Sequence, residues 1–110
     1  MAQQSGQAAT LAEQRRGARE RILRAARVVL AERGLSVRVE DVADAAGISR
    51  RTVFRHFESR DVLLAAALRD SMRSYGDRIP RYETGRPLGD WLHEAFVVAH
   101  EMNARHGRVY

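Results

Sequence analysis

Residues Val39 to Phe57 read VEDVADAAGISRRTVFRHF, and the fold is decided in this stretch. Val39, Val42, Ala43 and Ala46 stand at offsets of three, four and seven, which is one face of a helix. Gly47 then supplies the left-handed backbone that ends a helix at little cost, leaving Ile48 free to fold back on the core. Ser49 is a strong N-cap residue for a second helix, its hydroxyl within reach of amides two or three residues on. In that second helix Val53 and Phe57 lie one turn apart and face inward. Arg50, Arg51, Thr52, Arg55 and His56 are left pointing away. Two short helices joined by a glycine turn, the second showing arginines to solvent, form the helix-turn-helix arrangement that enters a DNA major groove.

Outward from this stretch, the whole chain sets bounds. Its 110 residues give room for a modest core. A hydrophobic fraction of 45% is that of a globular chain, and the small share of Pro and Gly favours helix. With no cysteine, disulfides and thiolate metal sites are excluded. No run approaches the roughly 20 apolar residues that span a bilayer, and the polar start lacks the apolar segment of a signal peptide, so a cytoplasmic location is expected. A net charge of +5 suits a polyanionic partner. All 19 basic residues are Arg, a bias that GC-rich coding also produces, so their positions carry more information than their number.

Residues 1–14 are small and polar without a helical period, which reads as a disordered arm. Arg15, Arg16, Arg19 and Arg21 follow at the entrance to the first helix. They are either a basic arm touching phosphates or the minor groove, or a solvated helix start. The first helix runs roughly from Arg16 to Arg33, with Ile22, Ala25, Ala26, Val29 and Leu30 inward and Gly34 as its stop. Leu35 and Val37 are expected to fold back as core. After Phe57, Ser59 caps a fourth helix that passes Leu63, Leu64, Ala67 and Leu68 towards Tyr75, and Pro80 marks its end. Arg81 to Arg86 is a loop. A fifth helix starts near Pro87 and extends to about Asn103, with Leu88, Trp91, Leu92, Ala95, Ala99 and Met102 as its stripe. Phe96, Val97 and Val98 widen that stripe, so this helix is expected to need burial on more than one side. The end at Gly107 to Tyr110 carries no stop signal, and the chain reads as the front part of a longer helical protein.

The chain resembles the N-terminal part of a tetracycline-repressor-type (TetR family) transcriptional regulator. The resemblance rests on Ile22, Ala25, Ala26, Leu30 and Gly34, on Val42-Ala43 and Ala46-Gly47-Ile48-Ser49, and on Thr52-Val53-Phe54-Arg55-His56-Phe57. Ser59-Arg60-Asp61 and Leu63-Leu64 complete it. It covers about Arg19 to Leu68. It implies an all-α fold: a three-helix, homeodomain-like helix-turn-helix domain over 15–60, then a connecting helix and the first part of a helical ligand and dimerisation domain over 61–110. It also implies a sequence-specific DNA-binding regulator in the bacterial cytoplasm, associated with the nucleoid. Such a protein is usually a repressor, which binds a palindromic operator as a homodimer and is released by a small-molecule effector. No cofactor and no membrane partner are implied.

Three positions depart from the family pattern. Arg38 stands where Ser or Thr normally caps the second helix; it can meet a phosphate electrostatically but cannot cap. Phe54 replaces a frequent Tyr and brings no hydroxyl to the DNA backbone. Arg60 stands where Lys is usual and keeps the charge. Within this frame Arg50, Arg51, Thr52 and Arg55 are the candidates for base edges, since an Arg fork matches guanine O6 and N7 and Thr can meet a thymine methyl. His56, Arg60, Arg38 and the backbone amide of Ser49 are the candidates for phosphate, with Phe54 alongside them on the DNA-facing side. An ordinary solvated face is the alternative for these arginines.

Other residues point to less. His93, His100 and His106 lack the HExxH spacing of a zinc site; His93 and His100 are two turns apart and read as helix surface. Trp91 and Phe96 read as core, with the border of a ligand cavity as the other possibility. No nucleophile–base pair, phosphate-cradling glycine loop or paired carboxylates point to an enzyme, and Glu40, Asp41 and Asp44 read as a solvated helix flank. The competing reading is a helix-turn-helix used for protein–protein contact without specific DNA binding.

Overall fold

The computed structural model describes residues 2–107, with side chains described for residues 10–104. Five α-helices follow in order: α1 (Ala2–Arg33), α2 (Val39–Ala46), α3 (Arg50–His56), α4 (Arg60–Ser71) and α5 (Leu88–Gly107). Short 3-10 turns occupy Gly34–Ser36 and Arg73–Arg78, and there is no strand among the described residues, so the all-α expectation holds. None of the described helices is long and apolar enough to cross a membrane.

The chain divides between His56 and Phe57 into two compact units, whereas the sequence pattern suggested a break after residue 60. The earlier break falls where α3 ends and the chain turns into the Ser59 cap of α4.

In the first unit, α1 is much longer than its hydrophobic period implies. It takes in the stretch expected to be a disordered arm, so Arg15, Arg16, Arg19 and Arg21 lie within a helix and not at its entrance. Residues 2–14 contain no proline and are rich in Ala and Gln, which favour helix intrinsically; residues 10–17 are all exposed, so no core contact holds them. The packed part begins at Ile22. Ile22, Ala26 and Val29 are buried as their spacing requires, with Leu30 half-buried, and this face packs against α2, where Val39, Val42 and Ala43 are buried. Val37 is fully buried as expected, but Leu35 is 41% exposed, because the 3-10 turn after Gly34 carries it outward.

Both ends of α2 are closed by hydrogen bonds that sequence position dictates. At its start Arg38 is the N-cap residue, and its guanidinium has no acceptor to offer the helix amides. Asp41 makes the return half of a capping box instead: its carboxylate accepts the Arg38 backbone N–H at 2.9 Å. The same carboxylate pairs with Arg33 at 2.8 Å, tying the end of α1 to the start of α2. Asp41 is therefore a structural joint and not part of a merely solvated flank. At the other end Gly47 adopts φ 71° and ψ 31°, a conformation that costs glycine nothing. This lets Gly47 N–H reach Asp44 O at 3.2 Å and Ile48 N–H reach Ala43 O at 3.0 Å, the paired bonds of a Schellman turn.

The second unit is built differently. Ser59 caps α4, its hydroxyl accepting from the Val62 amide at 3.2 Å. The helix ends at Ser71, short of Tyr75, and passes into a 3-10 segment broken at Gly76 (φ 63°, ψ −143°). Residues 79–87 are fastened to α5 by Trp91, which is fully buried. Its indole N–H donates to Pro80 O at 2.9 Å, and Tyr82 meets its ring edge-on with centroids 5.8 Å apart. Tyr82 O–H donates to Arg86 O at 2.5 Å, and Arg86 pairs with Glu94 at 2.6 Å. Burial, with a smaller contribution from the Asp61 carboxylate, raises the Tyr82 pKa above the ordinary phenol value. Pro87 precedes α5 and its carbonyl accepts from Asp90 and Trp91. Leu88, Ala95 and Ala99 are buried beside Trp91, with Leu92 and Met102 half-buried, while Phe96 and Val97 are 55% and 43% exposed.

Candidate nucleic-acid interface

The sequence makes α3 short and two-sided. Ser49 Oγ accepts the Thr52 amide at 3.1 Å, as an N-cap should, and also lies 2.9 Å from the Thr52 hydroxyl. Val53, in the middle of the helix, is buried to 1% and fixes its rotation. With that face turned in, Arg50, Arg51, Phe54 and Arg55 are exposed, and Thr52 and His56 are half-exposed. Thr52 has its hydroxyl engaged by Ser49, which leaves its methyl as the group free for an apolar contact.

The arginines on this surface are not equivalent. Arg51 and Arg55, one turn apart, make no ion pair among the described residues, so their forks stay open to a partner. Arg50 is engaged: its Nε lies 3.2 Å from Glu40 Oε1 on α2, and its guanidinium carbon is 5.3 Å from the centre of the Phe54 ring. Arg38 is exposed at the N-cap of α2. Arg60 belongs to the second unit, where it bonds Asp61 at 2.8 Å.

Glu40 and Asp41, read from the sequence as a solvated flank, are thus the first unit's two paired carboxylates among the described residues. Asp41 carried a detectable signal, since it stands three residues after the N-cap position, where a capping box puts an acid; Arg38 in place of Ser or Thr masked it. The Glu40–Arg50 pair has no local signal, because ten positions and a turn separate the two. Among the described residues no group of His, Cys, Asp or Glu is placed to hold a metal ion. His93 and His100 are exposed on α5, and His106 lies outside the described side chains.

An exposed row of arginines on a capped, rotationally fixed helix, behind a glycine turn, can present guanidinium forks to an anionic, grooved surface. Comparison with curated proteins and with solved structures gave no match. The family model of the bacterial regulatory proteins of the tetR family matches residues 22–67, from the first core residue of α1 into α4. Over that stretch the chain is the N-terminal helix-turn-helix domain of a TetR family regulator, a DNA-binding module of transcription control.

Proposed function

We propose that this protein is a ligand-responsive repressor, a regulator and not an enzyme, which acts in the bacterial cytoplasm at the nucleoid. In this reading the protein is a homodimer that places two copies of α3 in successive major grooves of a palindromic operator, about 34–36 Å apart or a multiple of that. A small-molecule effector releases it. The observation that supports the reading best is that Arg51 and Arg55 stand exposed, without an ion pair among the described residues, on a helix rotationally fixed by buried Val53.

Arg50, Arg51, Thr52 and Arg55 then read bases, with Arg51 and Arg55 on the α3 face opposite Val53 and Arg50 and Thr52 at its margins. Arg38, His56, Arg60 and the Ser49 amide set register on phosphates. Phe54, lacking a hydroxyl, contributes by holding Arg50. The experiment is selection of bound sequences from a random duplex pool, followed by titration of the winner at two salt concentrations. A palindromic consensus whose binding weakens steeply with salt is expected. Absence of any salt-dependent duplex binding would leave the helix-turn-helix as a protein-contact module.

A further inference from the structure

The Glu40–Arg50–Phe54 cluster points to a residue that sets specificity without touching DNA. The Gly47 turn brings Glu40, in the first turn of α2, against Arg50, the first residue of α3. Glu40 takes the Nε edge of the guanidinium at 3.2 Å, and Phe54, one helical turn on from Arg50, presents its ring face to the guanidinium carbon at 5.3 Å. An arginine has five N–H donors, and engagement at Nε leaves both terminal nitrogens open. Those terminal nitrogens are a fork of the kind that meets guanine O6 and N7. Arg50 is thus held by its Nε edge and by a cation–π contact, while its terminal nitrogens meet no partner among the described residues. Arg51 and Arg55 have no such carboxylate partner among the described residues.

We infer that Glu40 is a positioning residue for base recognition, with Arg50 as the side chain it orients; the inference rests on the DNA-binding reading above. Two effects act in the same direction. Holding Arg50 in advance lowers the entropy lost when its fork meets a base, which favours the preferred site. The Glu40 charge also offsets that of Arg50 toward phosphates, which disfavours random DNA, where contacts are mainly electrostatic. Both side chains of the pair are more than half exposed, at 63% for Arg50 and 51% for Glu40. An exposed pair of this kind is weak enough to adjust as DNA arrives, so Glu40 guides Arg50 and does not lock it.

The test uses the full chain and measures affinity for a selected duplex and for random duplex at matched salt. Glu40→Ala, Arg50→Ala, the double variant and Asp44→Ala are compared with the parent. Asp44 lies one turn from Glu40 on α2 and is exposed, so it reports the general effect of removing an acidic charge. Glu40→Ala is expected to lower the ratio of specific to random affinity by roughly three- to tenfold, partly by strengthening binding to random DNA. In the Arg50→Ala background the same substitution should leave the ratio unchanged. Asp44→Ala should shift both affinities together. The inference is overturned if Glu40→Ala leaves the ratio intact, or lowers it equally with Arg50 absent. If the parent binds no duplex in a salt-dependent way, the DNA-binding reading fails first and visibly.

Discussion

The first unit, residues 1–56, assembles its core from aliphatic side chains repeated along helix faces, whereas the second, residues 57–110, adds to its buried Phe57, Leu63, Leu64 and Ile79 one indole that ties a loop segment to a helix. Ile22, Ala26 and Val29 on α1 and Val39, Val42 and Ala43 on α2 each bury a little, and the helix ends are closed by their own caps. In the second unit Trp91 joins α5 to the segment 79–87 by an indole hydrogen bond and an aromatic edge contact. A core of many small contributions frees the outer face of its helices for other uses. A loop fastened through one side chain comes loose when that side chain is lost.

The largest expected effect follows from this contrast. Trp91→Ala should cost about 3–5 kcal/mol, because a fully buried indole leaves both a cavity and the unpartnered Pro80 carbonyl. Trp91→Phe keeps most of the ring and loses the N–H, so it should cost about 1–3 kcal/mol. Denaturant unfolding followed by circular dichroism measures both. If the alanine variant unfolds within about 0.5 kcal/mol of the parent, the second unit is held by something other than Trp91 and the contrast collapses.

The same contrast explains what could be read from the sequence. Faces repeating at helical spacing are local patterns, so the inward residues of α1, α2 and α3 and the stop at Gly47 were legible in order. Trp91 was legible as a core residue, but its bond to Pro80 joins residues eleven positions apart through a loop with no period. The α1 extension was missed because residues 10–17, all exposed, leave no hydrophobic pattern to read, only intrinsic propensity. Leu35 was read inward from its apolar character alone, and the 3-10 turn sends it out. At the candidate interface the basic residues were legible by type. The division between free Arg51 and Arg55 and engaged Arg50 was not, since pairing depends on how the turn brings α2 to α3.

A smaller effect, on binding and not on folding, probes the freedom of the first unit's outer face. Arg51→Ala and Arg55→Ala should each cost about 1–3 kcal/mol on the preferred duplex and less on random DNA. Neither should alter the unfolding midpoint, because neither side chain makes an ion pair among the described residues. Fluorescence anisotropy titrations beside the unfolding curves separate the two quantities. A variant that lost stability and affinity together would show that this face is part of the core after all.

Smaller still is the contribution of the joint at Asp41. Its carboxylate accepts the Arg38 amide and pairs with Arg33, and it is only 18% exposed. Asp41→Ala should lower stability by about 1 kcal/mol, the usual scale for a lost helix cap with an ion pair of modest worth. Asp44→Ala, on the same helix with no such partner, should change it by less than about 0.5 kcal/mol. Equal losses in the two variants would mean that net charge, and not the cap, stabilises this end of α2.

The smallest expected effect concerns Arg60, which in the second unit is already spoken for. Its Nη1 lies 2.8 Å from Asp61 Oδ1, with the two side chains 37% and 40% exposed. A pair that exposed contributes little to stability, so losing this pair in Arg60→Ala should by itself move the unfolding curve little. Its expected role is with phosphate, where removal of one cation lowers the slope of log affinity against log salt by up to about one unit. Because Asp61 offsets part of the Arg60 charge, the loss should fall below that limit, and Asp61→Asn should steepen the slope instead. Preferred and random duplexes should weaken together in Arg60→Ala, since phosphates carry no sequence. Slopes measured from about 50 to 200 mM salt resolve the difference. If Arg60→Ala changes the ratio of specific to random affinity while Arg51→Ala does not, base reading lies outside the first unit, and the division of labour between the two units is the reverse of the one proposed.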